Sequence, residues 1–150
     1  MIPIQLTNYT DYALRTLLYL GSLSDHERAQ VKDIAGAYQI SFNHLQKIVH
    51  DLGKKGLLHT TRGKNGGITL AVSPTTVNLG ELVRELEVFD LVECFNEDGQ
   101  CLIRCSCKLK SVLHQAKAAF LAVLDQYTLD DLLENKQELY SLFMGKEKTD

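Results

Sequence analysis

The sequence predicts a mainly α fold with a small β wing, extended by a long helix toward its C-terminus. Three observations carry this. Apolar residues recur at helical spacing in successive stretches, two β-prone arms flank a glycine-rich turn, and a long apolar stripe follows residue 107. A chain of 150 residues suits one compact domain, or a small domain with an extension used for assembly.

The first helix is expected over 9–21, with Tyr12, Ala13, Leu14, Leu17, Leu18 and Leu20 on its apolar face. A polar connection at 22–29 leads to a short helix at 31–38, with Val31, Ile34 and Ala35 inward. Ser41 suits the N-cap of the next helix, since its hydroxyl accepts an orphan amide hydrogen. There Leu45, Ile48, Val49 and Leu52 follow the i, i+3, i+4, i+7 rule, which leaves Asn43, Lys47, His50 and Lys54 on the opposite side. Gly53 and Gly56 bracket its end.

Arms at 58–61 and 68–72 enclose Gly63, Asn65, Gly66 and Gly67, a hairpin signal because glycine and asparagine tolerate positive φ. Asn78 then caps a helix to about residue 87, with Glu81 placed for a capping box. Residues 88–107 show neither period. A long helix over 108–126 bears a stripe of Leu109, Val112, Leu113, Ala116, Phe120, Val123 and Leu124. Its far side is also partly apolar, through Ala118, Leu121 and Ala122, so it needs more than one neighbour and reads as a dimerisation helix; burial within one chain is the alternative. Thr128 and Asp131 begin a last short helix, and 145–150 look frayed. The division expected is 1–75 as a winged helix-turn-helix, 76–107 as a linking helix and cysteine loop, and 108–150 as dimerisation helix and tail.

The charge distribution sharpens this. The net −3 hides a window at 40–70 where Lys47, Lys54, Lys55, Arg62 and Lys64 face Asp51 alone, for +4. A local basic patch on an acidic body suits a reader of duplex DNA that does not bind polyanions indiscriminately. Three short helices and a hairpin place Ser41, Asn43, Gln46, Lys47 and His50 where a helix meets the major groove, and Arg62 and Lys64 at the wing tip near phosphates or the minor groove. A winged helix also serves as a protein-binding module, in which case this polar face is only solvated. Asp11 and Arg15 interrupt any signal-peptide core, and no apolar run approaches the roughly 18 to 20 residues that cross a bilayer, so a soluble, cytoplasmic chain without membrane contact is expected.

All four cysteines, Cys94, Cys101, Cys105 and Cys107, fall between positions 94 and 107. In a reducing compartment such thiols bind metal or undergo redox chemistry more often than they form structural disulfides. The spacing contains no C-x2-C pair and fits zinc templates badly, whereas iron–sulfur clusters take ligands spread around their edges. His114 lies about 10.5 Å along the helix from Cys107, too far to share a small centre. A metal cluster, plain reduced cysteines and a thiol–disulfide switch all remain readings of the spacing. An enzyme is disfavoured: the loop thiols are the only candidate nucleophiles, and no histidine stands in a context suggesting a base.

LTNYTDYALRTLLYL (6–20), RGKNGGITLA (62–71), NLGELVRELE (78–87) and the cysteine loop running into KLKSVLHQAKAAFLAVLD together cover nearly the whole chain. In these it resembles the winged-helix transcription factors that include the iron–sulfur regulator IscR, and within them the nitric-oxide-sensing repressors. The resemblance implies a homodimer on a palindromic operator and a [4Fe–4S] cluster, with [2Fe–2S] as the alternative, that nitric oxide destroys. It implies ligation by Cys94, Cys101 and Cys107, with Asp11 donated by the other subunit. Lys110 stands where the IscR-like branch has a ligand histidine, which favours the nitric oxide branch. Cys105 is an extra thiol. The rival of the same fold is a cluster-free transcription factor responding to thiol redox or iron–sulfur status.

Overall fold

The computed structural model describes residues 5–89, 91 and 108–145. Its elements run α1 (Asn8–Ser22), α2 (Val31–Tyr38), α3 (Phe42–Lys54), β1 (Leu58–Thr61), β2 (Gly67–Leu70), a 3₁₀ turn (Pro74–Thr76), α4 (Leu79–Leu86), α5 (Lys108–Leu124), a second 3₁₀ turn (Asp130–Leu133) and α6 (Lys136–Gly145). The architecture is the mainly helical, winged arrangement expected from the sequence.

The core forms around α1. Thr7 caps it, its hydroxyl accepting from the Thr10 amide, and Ala13, Leu17 and Leu20 are buried at helical spacing against Ile34 of α2 and Leu45, Ile48 and Leu52 of α3. Between α2 and α3 the chain reverses at Gln39, whose φ of 58° is left-handed. This conformation costs a non-glycine residue on the order of 1 kcal/mol, and it lets the Ile40 amide reach the Ala35 carbonyl at 2.9 Å. Ser41 caps α3 as expected, accepting from the His44 amide.

β1 and β2 pair antiparallel, with Leu58 opposite Leu70 and Thr61 opposite Gly67. Gly63 supplies the positive φ, 104°, that the turn requires. The polar connection before α2 is more ordered than its composition suggests. Ala29 is buried and exchanges two backbone hydrogen bonds with Ile68, so the wing gains a third, one-residue strand.

Two capping expectations change place. The Asn78 side-chain oxygen accepts from the Glu81 amide, but the return bond from Glu81 is absent among the described residues; the Asn78 side-chain Nδ2 instead donates to the Asp125 carbonyl at 2.8 Å. Reciprocal capping pairs occur at Gln30–Asp33 and at Thr128–Asp131. The latter opens the 3₁₀ turn, and α6 follows as a separate helix whose Phe143 ring packs on Tyr19 and Tyr38.

α4 and α5 lie against each other. Arg84 forks onto both carboxylate oxygens of Asp125, and Gly80 sits so close to that carboxylate that a Cβ would collide with it. Leu121, on the side of α5 opposite the main apolar stripe, is the buried contact; Leu109, Val112, Phe120 and Val123 remain exposed. No described helix is long and apolar enough to cross a membrane.

Candidate nucleic-acid interface

α3 is fixed at both ends to α1. Near its start the Tyr12 and His44 rings meet edge to face at 5.3 Å. Near its end the Tyr9 hydroxyl donates to the Asp51 carboxylate at 2.9 Å. Burial, and then the bond to Asp51, push the Tyr9 hydroxyl up to about 12. One face of α3 is consumed by the core, which leaves Ser41, Asn43, Gln46, Lys47 and His50 exposed along the other. Arg62 and Lys64 are exposed at the wing turn. The sequence-predicted residues are thus all exposed, Asn43, Gln46, Lys47 and His50 along one side of α3, Ser41 at its cap, and Arg62 and Lys64 at the turn of the adjoining hairpin. An exposed polar and basic helix side is the kind of surface that reads base edges in a major groove.

Two residues of this region carry no signal in the sequence. Arg28 Nη1 donates to the Asn65 carbonyl at 3.1 Å, and Gln30 Nε2 donates to the Gly66 carbonyl at 2.8 Å. They flank Ala29 in the third strand of the wing. Their local sequence reads as a polar loop, and only the tertiary pairing reveals what they hold.

Asp11 lies in the first turn of α1, partly exposed, and its Oδ1 accepts from Arg15 Nε at 2.9 Å. The Arg15 guanidinium stands 5.9 Å from the Tyr12 ring and 5.6 Å from the Tyr38 ring. Glu87, at the end of α4, accepts from both the amide and the hydroxyl of Thr7, so the segment leading toward the cysteines departs beside the N-terminus of α1. Cys94, Cys101, Cys105 and Cys107 lie outside the described residues. Among the described residues no three His, Cys, Asp or Glu side chains are grouped to hold a metal ion. The Asp11 carboxylate is partly exposed, and its ion pair with Arg15 is of the solvent-exposed kind that contributes little.

Comparison with known proteins decides the family. A family model described as Rrf2, iron-dependent transcriptional regulator, matches residues 6–135. The chain belongs to the Rrf2 family. It is a transcriptional regulator, not an enzyme. Among its relatives, the "HTH-type transcriptional regulator NsrR" of Geobacillus kaustophilus is 53% identical over 141 residues, covering 93% of this chain and 96% of the other. The protein of the same name from Bacillus subtilis is 47% identical over 146 residues, covering 96% and 100%. Of solved Rrf2-like structures, IscR of T. potens superposes with a TM-score of 0.72 at 26% identity, covering 90% of both chains. The cysteine regulator CymR of B. subtilis gives 0.67 at 27% identity, covering 87% of this chain and 96% of that one.

Proposed function

We propose that this chain is a nitric-oxide-responsive repressor that binds a palindromic operator as a homodimer, with DNA binding governed by an iron–sulfur cluster. The observation that supports the DNA-reading part is the exposure of Asn43, Gln46, Lys47 and His50 along the side of α3 opposite its buried residues, with Ser41 at its cap and Arg62 and Lys64 exposed at the wing turn. These lie in the one strongly basic window of an otherwise acidic chain. Residues 1–75 then form the reading unit, 76–107 the link that carries the thiols, and 108–150 the dimerisation helix and tail. The exposed stripe of Leu109, Val112, Phe120 and Val123 supports the dimer, because an apolar face of this length on a helix is stable in water only when covered.

The sensing part rests on the near-50% identity to relatives named NsrR and on the thiol set Cys94, Cys101 and Cys107, with Lys110 where a histidine would otherwise serve. Cys94, Cys101 and Cys107, with Asp11 of the other subunit, would hold a [4Fe–4S] cluster, which supplies a centre reactive toward nitric oxide when bound. Asp11 holds Arg15, Arg15 lies against Tyr12, and Tyr12 touches His44 of α3. These side chains connect the first turn of α1 to the reading helix.

Anaerobic purification with absorbance and iron content, followed by titration of nitric oxide against operator binding, tests the reading. Brown protein that releases DNA on treatment is expected, as is loss of colour in Cys94→Ala and an altered response in Asp11→Ala. Colourless, iron-free protein that binds its operator normally overturns the cluster and leaves thiol redox as the signal.

A further inference from the structure

The wing is held from outside its own hairpin. Ala29 pairs with Ile68 through two backbone bonds, Ala29 N to Ile68 O at 3.2 Å and Ile68 N to Ala29 O at 2.7 Å. Residues alternate sides along a strand, so the neighbours Arg28 and Gln30 share the face opposite the buried Ala29. From that face both reach the turn: Arg28 Nη1 to the carbonyl of Asn65, and Gln30 Nε2 to the carbonyl of Gly66. The two carbonyls are consecutive, and they belong to the turn that carries Arg62 and Lys64.

The contact leaves no slack. A Cβ at Gly67 would stand 2.7 Å from the Arg28 Cβ and 3.1 Å from the Ala29 carbonyl oxygen. A Cβ at Gly66 would strike the Thr61 carbonyl and lie 2.9 Å from that of Gly63. Gly67 is thus pressed against Arg28 and Ala29, while Gly66 closes the turn on its own hairpin. The two strands of the wing are only four residues each, and a two-stranded hairpin of that length is marginal in water. Its tip needs an outside anchor to hold one position. Gln30 is also the N-cap of α2, where its own amide donates to Asp33 Oδ2 at 2.9 Å, so the anchor is itself fixed to the helical core.

We propose that Arg28 and Gln30 are positioning residues of the wing: by gripping the Asn65 and Gly66 carbonyls they set where Arg62 and Lys64 meet DNA. The proposal rests on the DNA-reading function above. In a free hairpin the basic tip samples many positions and loses conformational entropy on binding. Anchored, it meets the duplex already in place.

A double-mutant cycle on the full-length protein tests this, using as probe a duplex that the wild type selects from a random-sequence pool. Arg28→Ala/Gln30→Ala is expected to weaken binding about tenfold. In a background lacking Arg62 and Lys64 (both to alanine) the same pair should cost less than about twofold, because there is no longer a tip to position. Combined with Lys47→Ala, the effects should multiply. Far-UV circular dichroism of the anchor variant should match wild type, and its melting temperature should fall by no more than the loss of the Gln30 cap on α2 accounts for. Equal losses with and without Arg62 and Lys64, accompanied by a salt slope lower by about one, would mean that Arg28 meets a phosphate itself and would overturn the proposal. Unchanged affinity in the anchor variant would overturn it as well. Failure of the wild type to select any duplex strikes the DNA-reading function instead, so the two failures are separable.

Discussion

The outward face of α3 and the outward face of α5 are both exposed, yet they make opposite demands on their surroundings. The α3 face consists of Asn43, Gln46, Lys47 and His50, side chains that water solvates well, so leaving it bare costs nothing and the helix stays in place through Leu45, Ile48 and Leu52. The α5 face presents Leu109, Val112, Phe120 and Val123, each at least 45% exposed, while only Leu121 is buried on the other side. Each of these half-exposed side chains forgoes on the order of 1 kcal/mol of burial, about half of what full burial supplies. A polar face is free to wait for a ligand; an apolar one needs a standing partner. On the proposed reading, the difference separates a surface used intermittently from one covered in the resting dimer.

The sharpest way to break this contrast is to make the α5 face polar. Phe120→Glu/Val123→Glu should weaken self-association roughly a thousandfold, as loss of a central apolar cluster does, while the monomer keeps its helical content. Sedimentation velocity across a dilution series checks it; an undisturbed dimer would place the interface elsewhere. Next in size, Leu121→Ala removes the buried side chain by which α5 packs on its own chain and should cost about 2 to 3 kcal/mol of stability, read by urea unfolding. Its effect on dimer affinity should be the smaller of the two if the faces of α5 are divided as described.

On the α3 side, Lys47→Ala should reduce operator affinity about tenfold without changing unfolding or self-association, measured by fluorescence anisotropy. A loss of stability there would show that the face is structural. The smallest effect is a pH dependence at the seam between α1 and α3. The Tyr9 hydroxyl, raised from 10.0 to about 12 in the folded chain, stabilises the fold while protonated. That contribution is fully present below pH 10 and is lost as the pH rises toward 12. Stability should therefore fall over this window in the wild type and less steeply in Tyr9→Phe, followed by denaturation at each pH.

Much of the reading unit was legible because its signals are local. Val31–Tyr38 matches the expected helix end for end, and Ser41 caps α3 because a short hydroxyl side chain before an apolar period has few better uses. Gly63 marked the turn through its conformational freedom. The errors arise where partners are distant in sequence. Asn78 has the composition of a capping box with Glu81, yet its side-chain Nδ2 goes to Asp125, 47 residues away. Residues 22–29 read as a polar connection because five consecutive positions there, 24–28, are polar or charged, and nothing local distinguishes a loop from a strand that pairs once with Ile68. α6 was compressed into one short helix with its preceding turn, since its apolar residues serve Tyr19 and Tyr38 of distant elements.

By itself the sequence determined the helix periods, the caps, the hairpin, the basic window and the confinement of every thiol to positions 94–107, since each depends on residues within a few positions of one another. Only the tertiary structure decided that the wing is anchored by Arg28 and Gln30, that α5 meets its own chain through Leu121, and that the Arg84–Asp125 fork joins α4 to α5. Those contacts exist only once the apolar faces have packed and brought far-separated groups within hydrogen-bonding reach, and a one-dimensional pattern does not encode which distant surface a face will meet.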